Sequence, residues 1–588
     1  MWSCNDPKPV GNSATSSASA NCATILGSAI DILQPERMGI TSDQETASGL
    51  LNQWALVCAN DYEDHGGPGE SEMKLAATVL SQDEVKRLSD SKFKDDDCKH
   101  VRTCMMLRTM VDHATAFADS EVERVVNVFE YVVRNVQIPS EIKLAIPQSR
   151  YAAAVFGLGS AEDRAWLFAD MLRQLRIDSV ILRSQHDSTD EDTEQTRHTW
   201  LVGVVLEREV YLFDMRLGTP IPSPRDDGTT ITVRSPATLK EVLADDDLLR
   251  RLDIDERRPY RLTAEQLKNP KVEIVGYHML WAPRIGLLQS SLVGEHSTAV
   301  YDPLEDVGDS HGLVSRLVEA GEGIWTRDDI TVWGHPEKSL REFAQLDLKT
   351  DVRWQFRWRS MEAPVPIQLD PESNKINVGT PQREMRKVRM MHVLGDYSQA
   401  IQRYTMMRIE DAIFRNPQIP IPPEKRIIQV FASSDSFYWS GVCQMEKGEF
   451  GVAANTFRQY LNYLEKLRTF KHARWSAPCR GLLAYCLAQN EQFTQAIEVL
   501  DAVDGADPHR DAFDLLIRRW GARAGVPPAA ATSKAEPTSE SSAAPKPNSD
   551  KKPPQPARGK DQAASAEATG DDAPVNAAKP SARSSEGL

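Results

Sequence analysis

Residues 157–182 constrain the fold more than any other part of the sequence, because they predict a capped helix that leads directly into a strand. Gly157 and Gly159 mark a turn. Ser160 then stands at an N-cap position with Asp163 three residues later, as in a capping box. Apolar residues recur along one helical stripe from that point, namely Ala161, Ala165, Phe168, Ala169 and Leu172.

The helix is predicted to end near Leu175, and residues 177–182 form the strand that follows it. Two more apolar segments, HTWLVGVVL and EVYLFDMRL, predict two strands joined by a polar turn near Glu207 and Arg208. A helix followed by successive strands, in a chain otherwise rich in helical patterns, predicts the α+β class.

A second ordered pattern recurs from about residue 382. Three units place an aromatic, a small and a large apolar residue at the same offsets, namely Tyr397, Ala400, Tyr404; Phe450, Ala453, Phe457; and Phe493, Ala496, Leu500. This pattern resembles the second helix of tetratricopeptide repeats, where the small residue lets neighbouring helices approach. The resemblance implies a degenerate array of helical hairpins over residues 381–525.

Length and charge exclude several classes. A chain of 588 residues predicts two to four domains. Its net charge of −16 argues against nucleic-acid binding, which favours a basic surface. No apolar run approaches the roughly 20 residues that a membrane helix needs. We expect no cofactor and no metal site, since CKHVRTC lacks paired zinc-ligand spacing and the acidic loop at residues 187–194 lacks the glycine of a calcium loop.

The N-terminal residues bear on localisation. Cys4 follows a small residue and precedes a Ser/Ala/Asn-rich spacer, which looks like the end of a bacterial lipoprotein signal. We expect either a lipid anchor at Cys4, with the true start upstream and the protein in the cell envelope, or an ordinary disordered N-terminus on a cytoplasmic protein. If the protein is exported, a disulfide among Cys58, Cys98 and Cys104 is expected.

The middle of the chain gives mixed signals. KVEIVG, STAVYD and DITVWG predict short strands. In RWQFRWR, Trp354, Phe356 and Trp358 alternate with polar residues, which predicts a half-buried strand. Its arginines face either solvent or an anionic ligand.

The order of motifs in residues 115–220 resembles the transglutaminase-like superfamily of papain-like folds, in its bacterial type. Members of that family have a cysteine that opens a helix, a strand with His-Ala-Trp, and a strand that ends in Asp. Ala161, His198 and Asp214 stand at the three matching positions, and Trp200 completes the His198-Thr-Trp motif. The resemblance implies a fold in which His198 and Asp214 are close neighbours across a hairpin, as a base and the group that orients it must be.

The resemblance also implies that the nucleophile is lost, because Ala161 replaces the cysteine and a methyl group cannot attack a substrate. Ser160 is the alternative nucleophile, although an N-cap role explains it as well. His198 and Asp214 then remain either as a vestigial structural pair or as part of a cleft that binds a peptide or amine, to which Trp166 and Trp200 contribute.

These expectations divide the chain into six segments: a disordered tether (1–22), a helical region (23–114), a transglutaminase-like domain (115–265), a mixed strand and helix region (266–380), tetratricopeptide-like repeats (381–525) and a disordered low-complexity tail (526–588). The leading hypothesis is a non-catalytic scaffold that binds a protein or peptide partner. The alternative is a cysteine-independent hydrolase or acyl transferase that uses Ser160 with His198 and Asp214.

Overall fold

Six strands form one sheet, and their bounds are β1 (Asp178–Arg183), β2 (Trp200–Leu206), β3 (Glu209–Asp214), β4 (Thr219–Pro220), β5 (Lys271–Ile274) and β6 (Ile330–Val332). The strand order is β4-β3-β2-β1-β5-β6. All neighbouring pairs are antiparallel except β5 and β6, which run parallel. The computed structural model that shows this describes residues 13–37, 41–58, 69–140, 145–184, 199–308, 310–370, 372, 376–417, 419–466 and 474–525.

The hairpin of β2 and β3 confirms the two predicted strands. Its turn consists of Glu207 and Arg208, both with positive φ, as a tight two-residue turn requires. Val202 pairs with Phe213 in the register that follows. The strands predicted at KVEIVG and DITVWG are β5 and β6, whereas STAVYD contains no strand.

Eight helices precede or lead into the sheet: α1 (Ser13–Ile32), α2 (Thr41–Cys58), α3 (Glu70–Ala76), α4 (Gln82–Leu88), α5 (Asp95–Ala114), α6 (Glu121–Asn135), α7 (Arg150–Phe156) and α8 (Ala161–Gln174). The last of them, α8, is the predicted capped helix and packs on α5, α6 and β1. Its buried side chains belong to the core that lies under the sheet.

The first two helices correct the predictions for the N-terminus. α1 begins at Ser13, inside residues 1–22 that were predicted to be a tether; Cys4 lies outside the described residues. The packed pair α1 and α2 carries a disulfide between Cys22 and Cys58. The predicted set of partners was therefore wrong, because it left out Cys22, while Cys98 and Cys104 are free thiols in the core.

Six helices and a two-stranded sheet make up the middle of the chain: α9 (Leu239–Ala244), α10 (Asp247–Arg250), α11 (Pro283–Gln289), α12 (Leu313–Ala320), α13 (His335–Ala344), α14 (Val352–Trp358), β7 (Ile367–Leu369) and β8 (Ile376–Val378). Short 3₁₀ segments connect elements at several points: Pro35–Arg37, Glu265–Leu267, His278–Trp281, Gly294–His296, Arg327–Asp329 and Arg359–Glu362.

RWQFRWR is helix α14, so the strand prediction was wrong. The alternation that suggested a strand also places Trp354 and Trp358 four residues apart, and their rings stack on one helical face at 5.7 Å. The carboxylate of Asp351 caps the helix by accepting hydrogen bonds from two backbone amides. Arg357 is buried rather than on an outer face, and it donates to the amide oxygen of Gln148.

Seven helices complete the described chain: α15 (Glu384–Val393), α16 (Tyr397–Arg415), α17 (Pro423–Glu446), α18 (Phe450–Lys466), α19 (Ser476–Gln489), α20 (Phe493–Asp501) and α21 (Arg510–Gly521). Each packs on the next. Three tight turns, between α15 and α16, α17 and α18, and α19 and α20, hold a residue with positive φ at the same place: Gly395, Gly448 and Glu491. In each turn the next amide reaches back five residues to a carbonyl, as in a Schellman motif.

The predicted helical hairpins are therefore present, with the repeated motif at the start of the second helix of each. Its small and large members are all fully buried: Ala400, Tyr404, Ala453, Phe457, Ala496 and Leu500. Helices α15–α21 are called the helical array below, and residues 69–378 the α/β part. The mixed α and β class is confirmed.

The helical array packs against the α/β part near both of its ends. From α15, Arg389 donates to the carbonyl of Val155 at 2.9 Å and stacks 3.6 Å from the ring of Trp439 on α17. At the other end, Arg519 of α21 forms a bidentate ion pair with Asp226, at 2.7 and 2.9 Å. These contacts leave a space between the two parts near α19 and α21.

Candidate functional site

The N-terminus of α8 is a closed capping box. The Ser160 hydroxyl oxygen accepts a hydrogen bond from the Asp163 amide at 3.1 Å, and a carboxylate oxygen of Asp163 accepts one from the Ser160 amide at 2.9 Å. This confirms the predicted N-cap. The hydroxyl that was the alternative nucleophile is thus engaged by the backbone of its own helix.

Ala161, which was expected to stand in place of a nucleophile, is the first residue of α8 and is only 4% exposed. The turn before it is packed on both sides. Gly157 has φ of +65°, and a Cβ there would lie 2.1 Å from the ring of Trp439. A Cβ on Gly159 would lie 2.9 Å from the Cβ of Asp163. The turn and the helix start are therefore tightly packed, with Trp439 of the helical array against Gly157.

Asp214, at the end of β3, is a buried carboxylate that accepts hydrogen bonds from three groups of the protein. The hydroxyl of Tyr260 donates to it at 2.8 Å, and the amides of Arg216 and Leu217 both donate at 2.8 Å. Burial and the adjacent carboxylate raise the pKa of Tyr260 well above its usual value. His198 lies outside the described residues, so its proximity to Asp214 stays a prediction.

Trp166 lies beside a histidine that the sequence analysis missed, and Trp200 contacts the tryptophan that stacks on it. His335 stacks on Trp333 at 4.9 Å, Trp166 meets His335 edge-on at 6.4 Å, and Trp200 lies 6.1 Å from Trp333. The Nε2 atom of His335 is 3.2 Å from a carboxylate oxygen of Asp163. Trp166 and Trp200 are 1% and 6% exposed, so neither ring forms an open surface here.

A cavity of about 480 Å³ lies between the helical array and the α/β part. Its volume falls within the range of ordinary ligand pockets. One wall comes from α6, the β3–β4 connection and the loop after β4; its apolar members include Phe129, Val133, Leu217, Pro220 and Val233. The other wall comes from α19 and α21; its apolar members include Leu482, Ala512, Phe513, Leu515 and Leu516. We call this space the interface cavity.

Positive side chains dominate the polar lining of the interface cavity. Six arginines line it, against three carboxylates: Arg134, Arg164, Arg216, Arg251, Arg518 and Arg519; Glu130, Asp226 and Asp227. Arg519 is neutralised by Asp226, and Arg134 pairs with Glu446 and Glu130.

Three of the arginines contact only backbone carbonyls in the part of the chain that the structure describes. Arg164 donates to Val136, Met215 and Val133. Burial lowers the pKa of Arg164 to about 10. Arg251 donates to Ser223 and Asp226 through their carbonyls, and Arg518 to Asp253 and to Arg251 in the same way. None of the three forms an ion pair with a carboxylate among the described residues, although the charges of Asp214 and Asp253 act on Arg164 and Arg518 from a distance.

His509 adds an unsatisfied polar atom to the same cavity. Its Nδ1 atom lies 2.7 Å from a carboxylate oxygen of Asp507, and its ring stacks on Phe513. Burial opposes ionisation of Asp507, but the hydrogen bonds from His509 hold the pKa of that carboxyl below its usual value. The Nε2 atom is buried and has no hydrogen-bond partner among the described residues.

Sequence analysis did not find the interface cavity. Its two walls come from segments that lie more than 200 residues apart in the chain, such as Leu217 and Phe513. No local pattern links them. The one signal within reach of sequence was the clustering of basic residues at the end of α21, where Arg518, Arg519 and Arg523 occur together.

No group of three or more metal-ligating side chains exists in the described ranges, and the acidic loop at residues 187–194 lies outside them. Within the residues that could be searched, no helix has the length and apolar character to cross a membrane. No family model matches this chain, and neither characterised proteins nor solved structures gave a significant match.

Proposed function

We propose that this chain is a non-catalytic scaffold that binds a peptide segment of a partner in the interface cavity. The carrying observation is the cavity itself, whose two walls come from the α/β part and from the helical array. In this proposal the domain resembles transglutaminase-like proteins that lack the nucleophile, and the array resembles tetratricopeptide repeats. Stacked helical hairpins commonly provide extended binding surfaces.

The burial of Ala161 supports a non-catalytic role. A nucleophile at the start of α8 would benefit from the helix dipole, but it would also need access to a substrate. Ala161 has neither a reactive atom nor exposure.

The alternative function, a hydrolase or acyl transferase that uses Ser160 with His198 and Asp214, has less support. The Ser160 hydroxyl caps its own helix. The Asp214 carboxylate already accepts three hydrogen bonds from other groups.

We also keep the proposal of a lipid anchor at Cys4 and a place in the bacterial cell envelope. The disulfide between Cys22 and Cys58 supports it, because disulfides persist mainly in oxidising compartments. The intact mass of the protein isolated from its own host tests it. A mass that includes an unmodified Met1 contradicts it.

The peptide-binding function is tested by selecting short random peptides, displayed on phage, against the full-length protein. Ala512 lines the cavity, and Ala512→Trp fills it. Ala502, which is exposed after α20, gives the matched control Ala502→Trp. We expect selected peptides to bind the native protein and Ala502→Trp, and to lose at least about tenfold in affinity for Ala512→Trp.

Circular dichroism and thermal unfolding of both variants establish that they fold. Peptides that bind Ala512→Trp as tightly as the native protein contradict the proposal, as does a selection that enriches no peptide at all.

A further inference from the structure

The lining of the interface cavity indicates the chemistry of the peptide, and this step rests on the proposed function. The apolar walls of the interface cavity face each other across the junction, with Phe129 and Leu217 on one side and Leu482, Phe513 and Leu516 on the other. An aromatic or large aliphatic side chain that enters from outside is removed from water on both faces. Burial of such a side chain favours binding.

Charge gives the second element of the ligand. The chain as a whole carries −16, yet the cavity lining carries an excess of arginines. Arg251 and Arg518 are exposed, and Arg518 donates to the carbonyl of Arg251. Both side chains line the cavity, and the Arg518 guanidinium lies at the backbone of Arg251. A guanidinium without a carboxylate partner matches a carboxylate in geometry as well as in charge.

The third element is the Nε2 atom of His509. The Asp507 carboxylate only accepts hydrogen bonds, so Nδ1 carries the hydrogen that lies between them. In the neutral ring Nε2 is then an acceptor, and it is buried without a donor among the described residues. A buried acceptor without a partner is unfavourable, because it has lost its hydrogen bonds to water. A ligand that supplies an N–H removes this cost, which an ionised fatty acid cannot do.

We infer that the interface cavity binds an acidic peptide segment with one large apolar side chain next to Asp or Glu. The apolar side chain lies between Phe513 and Leu217. The neighbouring carboxylate pairs with Arg251 and Arg518, and a backbone N–H of the peptide donates to Nε2 of His509.

The phage selection supplies the first test, because the consensus of the enriched peptides is read directly. We expect an aromatic or large aliphatic residue adjacent to Asp or Glu. The second test measures the affinity of one enriched peptide, labelled with fluorescein, by fluorescence anisotropy. In the double variant Arg251→Gln/Arg518→Gln the affinity should fall at least about tenfold, the loss of one charge-assisted hydrogen bond.

The control is Arg208→Gln/Arg327→Gln, which removes two exposed arginines that do not line the cavity. It should leave the affinity within about twofold of the native protein, because exposed charges that do not contact the peptide are screened by salt. Dodecanoate is used as a competitor, because it tests whether a fatty acid carboxylate binds in place of the carboxylate of a peptide. We expect it not to displace the peptide at concentrations below its own micelle formation.

The outcomes separate the two proposals. Peptides that require an open cavity, as judged with Ala512→Trp, but are basic or uncharged overturn the acidic-peptide inference and leave the proposed function standing. The same holds if Arg251→Gln/Arg518→Gln binds normally, or if dodecanoate displaces the peptide. Peptides that bind Ala512→Trp with the same affinity as the native protein overturn both proposals.

Discussion

The N-terminus of α8 and the interface cavity are two polar regions that differ in how completely their groups are satisfied. At the start of α8, Ser160 and Asp163 satisfy each other, and Ala161 is enclosed. In the cavity, Arg251 and His509 keep unpaired charge and an unpaired acceptor beside open volume. A resemblance in sequence points to the first region, whereas unsatisfied chemistry points to the second. Binding is more favourable where the protein has left groups unpaired.

The largest effect on stability is expected at Gly157, where the packing before α8 is tightest. Gly157→Ala places a Cβ against Trp439 at a residue with positive φ, so it should lower the free energy of unfolding by about 3 kcal/mol or more. Gly448→Ala is the control, since Gly448 also has positive φ but nothing lies within 4 Å of its Cβ position. It should cost about 1–2 kcal/mol. Urea unfolding measures both, and equal losses would mean that the array does not close over the α8 turn.

The hydrogen bond between His509 and Asp507 tests the cavity side. Because the folded pKa of Asp507 is below its usual value of 3.8, the pair stabilises the fold above about pH 4 and this stability is lost as the pH falls. Asp507→Asn should cost about 1–3 kcal/mol at pH 7 and less at pH 3. Urea unfolding at the two pH values measures the difference, and a cost that is the same at both contradicts a stabilising Asp507 carboxylate.

A smaller effect is expected at the cap of α8. Ser160→Ala removes the acceptor for the Asp163 amide and should lower the free energy of unfolding by about 1 kcal/mol. Ser160→Asp keeps an N-cap acceptor and should restore most of this loss. If Ser160→Ala instead abolishes a hydrolytic or acyl-transfer activity of the native protein without loss of stability, the enzyme hypothesis takes over.

The smallest effect compares the three array turns. Glu491 has φ of +60°, where the other two turns have Gly395 and Gly448. Glu491→Gly removes the strain of a side chain in the left-handed region and should raise the free energy of unfolding by about 0.5–1 kcal/mol. Thermal unfolding measures the change. A destabilisation would show that the Glu491 side chain makes a contact that outweighs the strain.

Local signals in the sequence were enough for part of this architecture. The cap of α8, the turn at Glu207 and Arg208, and the repeated motif of the array each lie within a few residues, and the structure places them as predicted. RWQFRWR misled because two periodicities fit seven residues equally well. The partner of Cys58 and the two walls of the interface cavity depend on segments brought together by tertiary packing, for which no local spacing gives a signal.

The most direct test measures the reactivity of two engineered thiols towards iodoacetamide in the full-length protein, with and without a peptide from the selection. Cys4 lies outside the described residues and is replaced by Ser in both variants. The free cysteines among the described residues are buried and the other described pair is a disulfide, so an added thiol dominates the signal. Ala512→Cys in the cavity should react readily and be protected by the peptide. Ala161→Cys should react at least ~100-fold more slowly, as for a site that opens at a cost of about 3 kcal/mol, with or without peptide. The account is contradicted if Ala161→Cys is alkylated fast and the peptide blocks this reaction, while the rate at Ala512→Cys does not change with peptide. That result would place the binding site at α8.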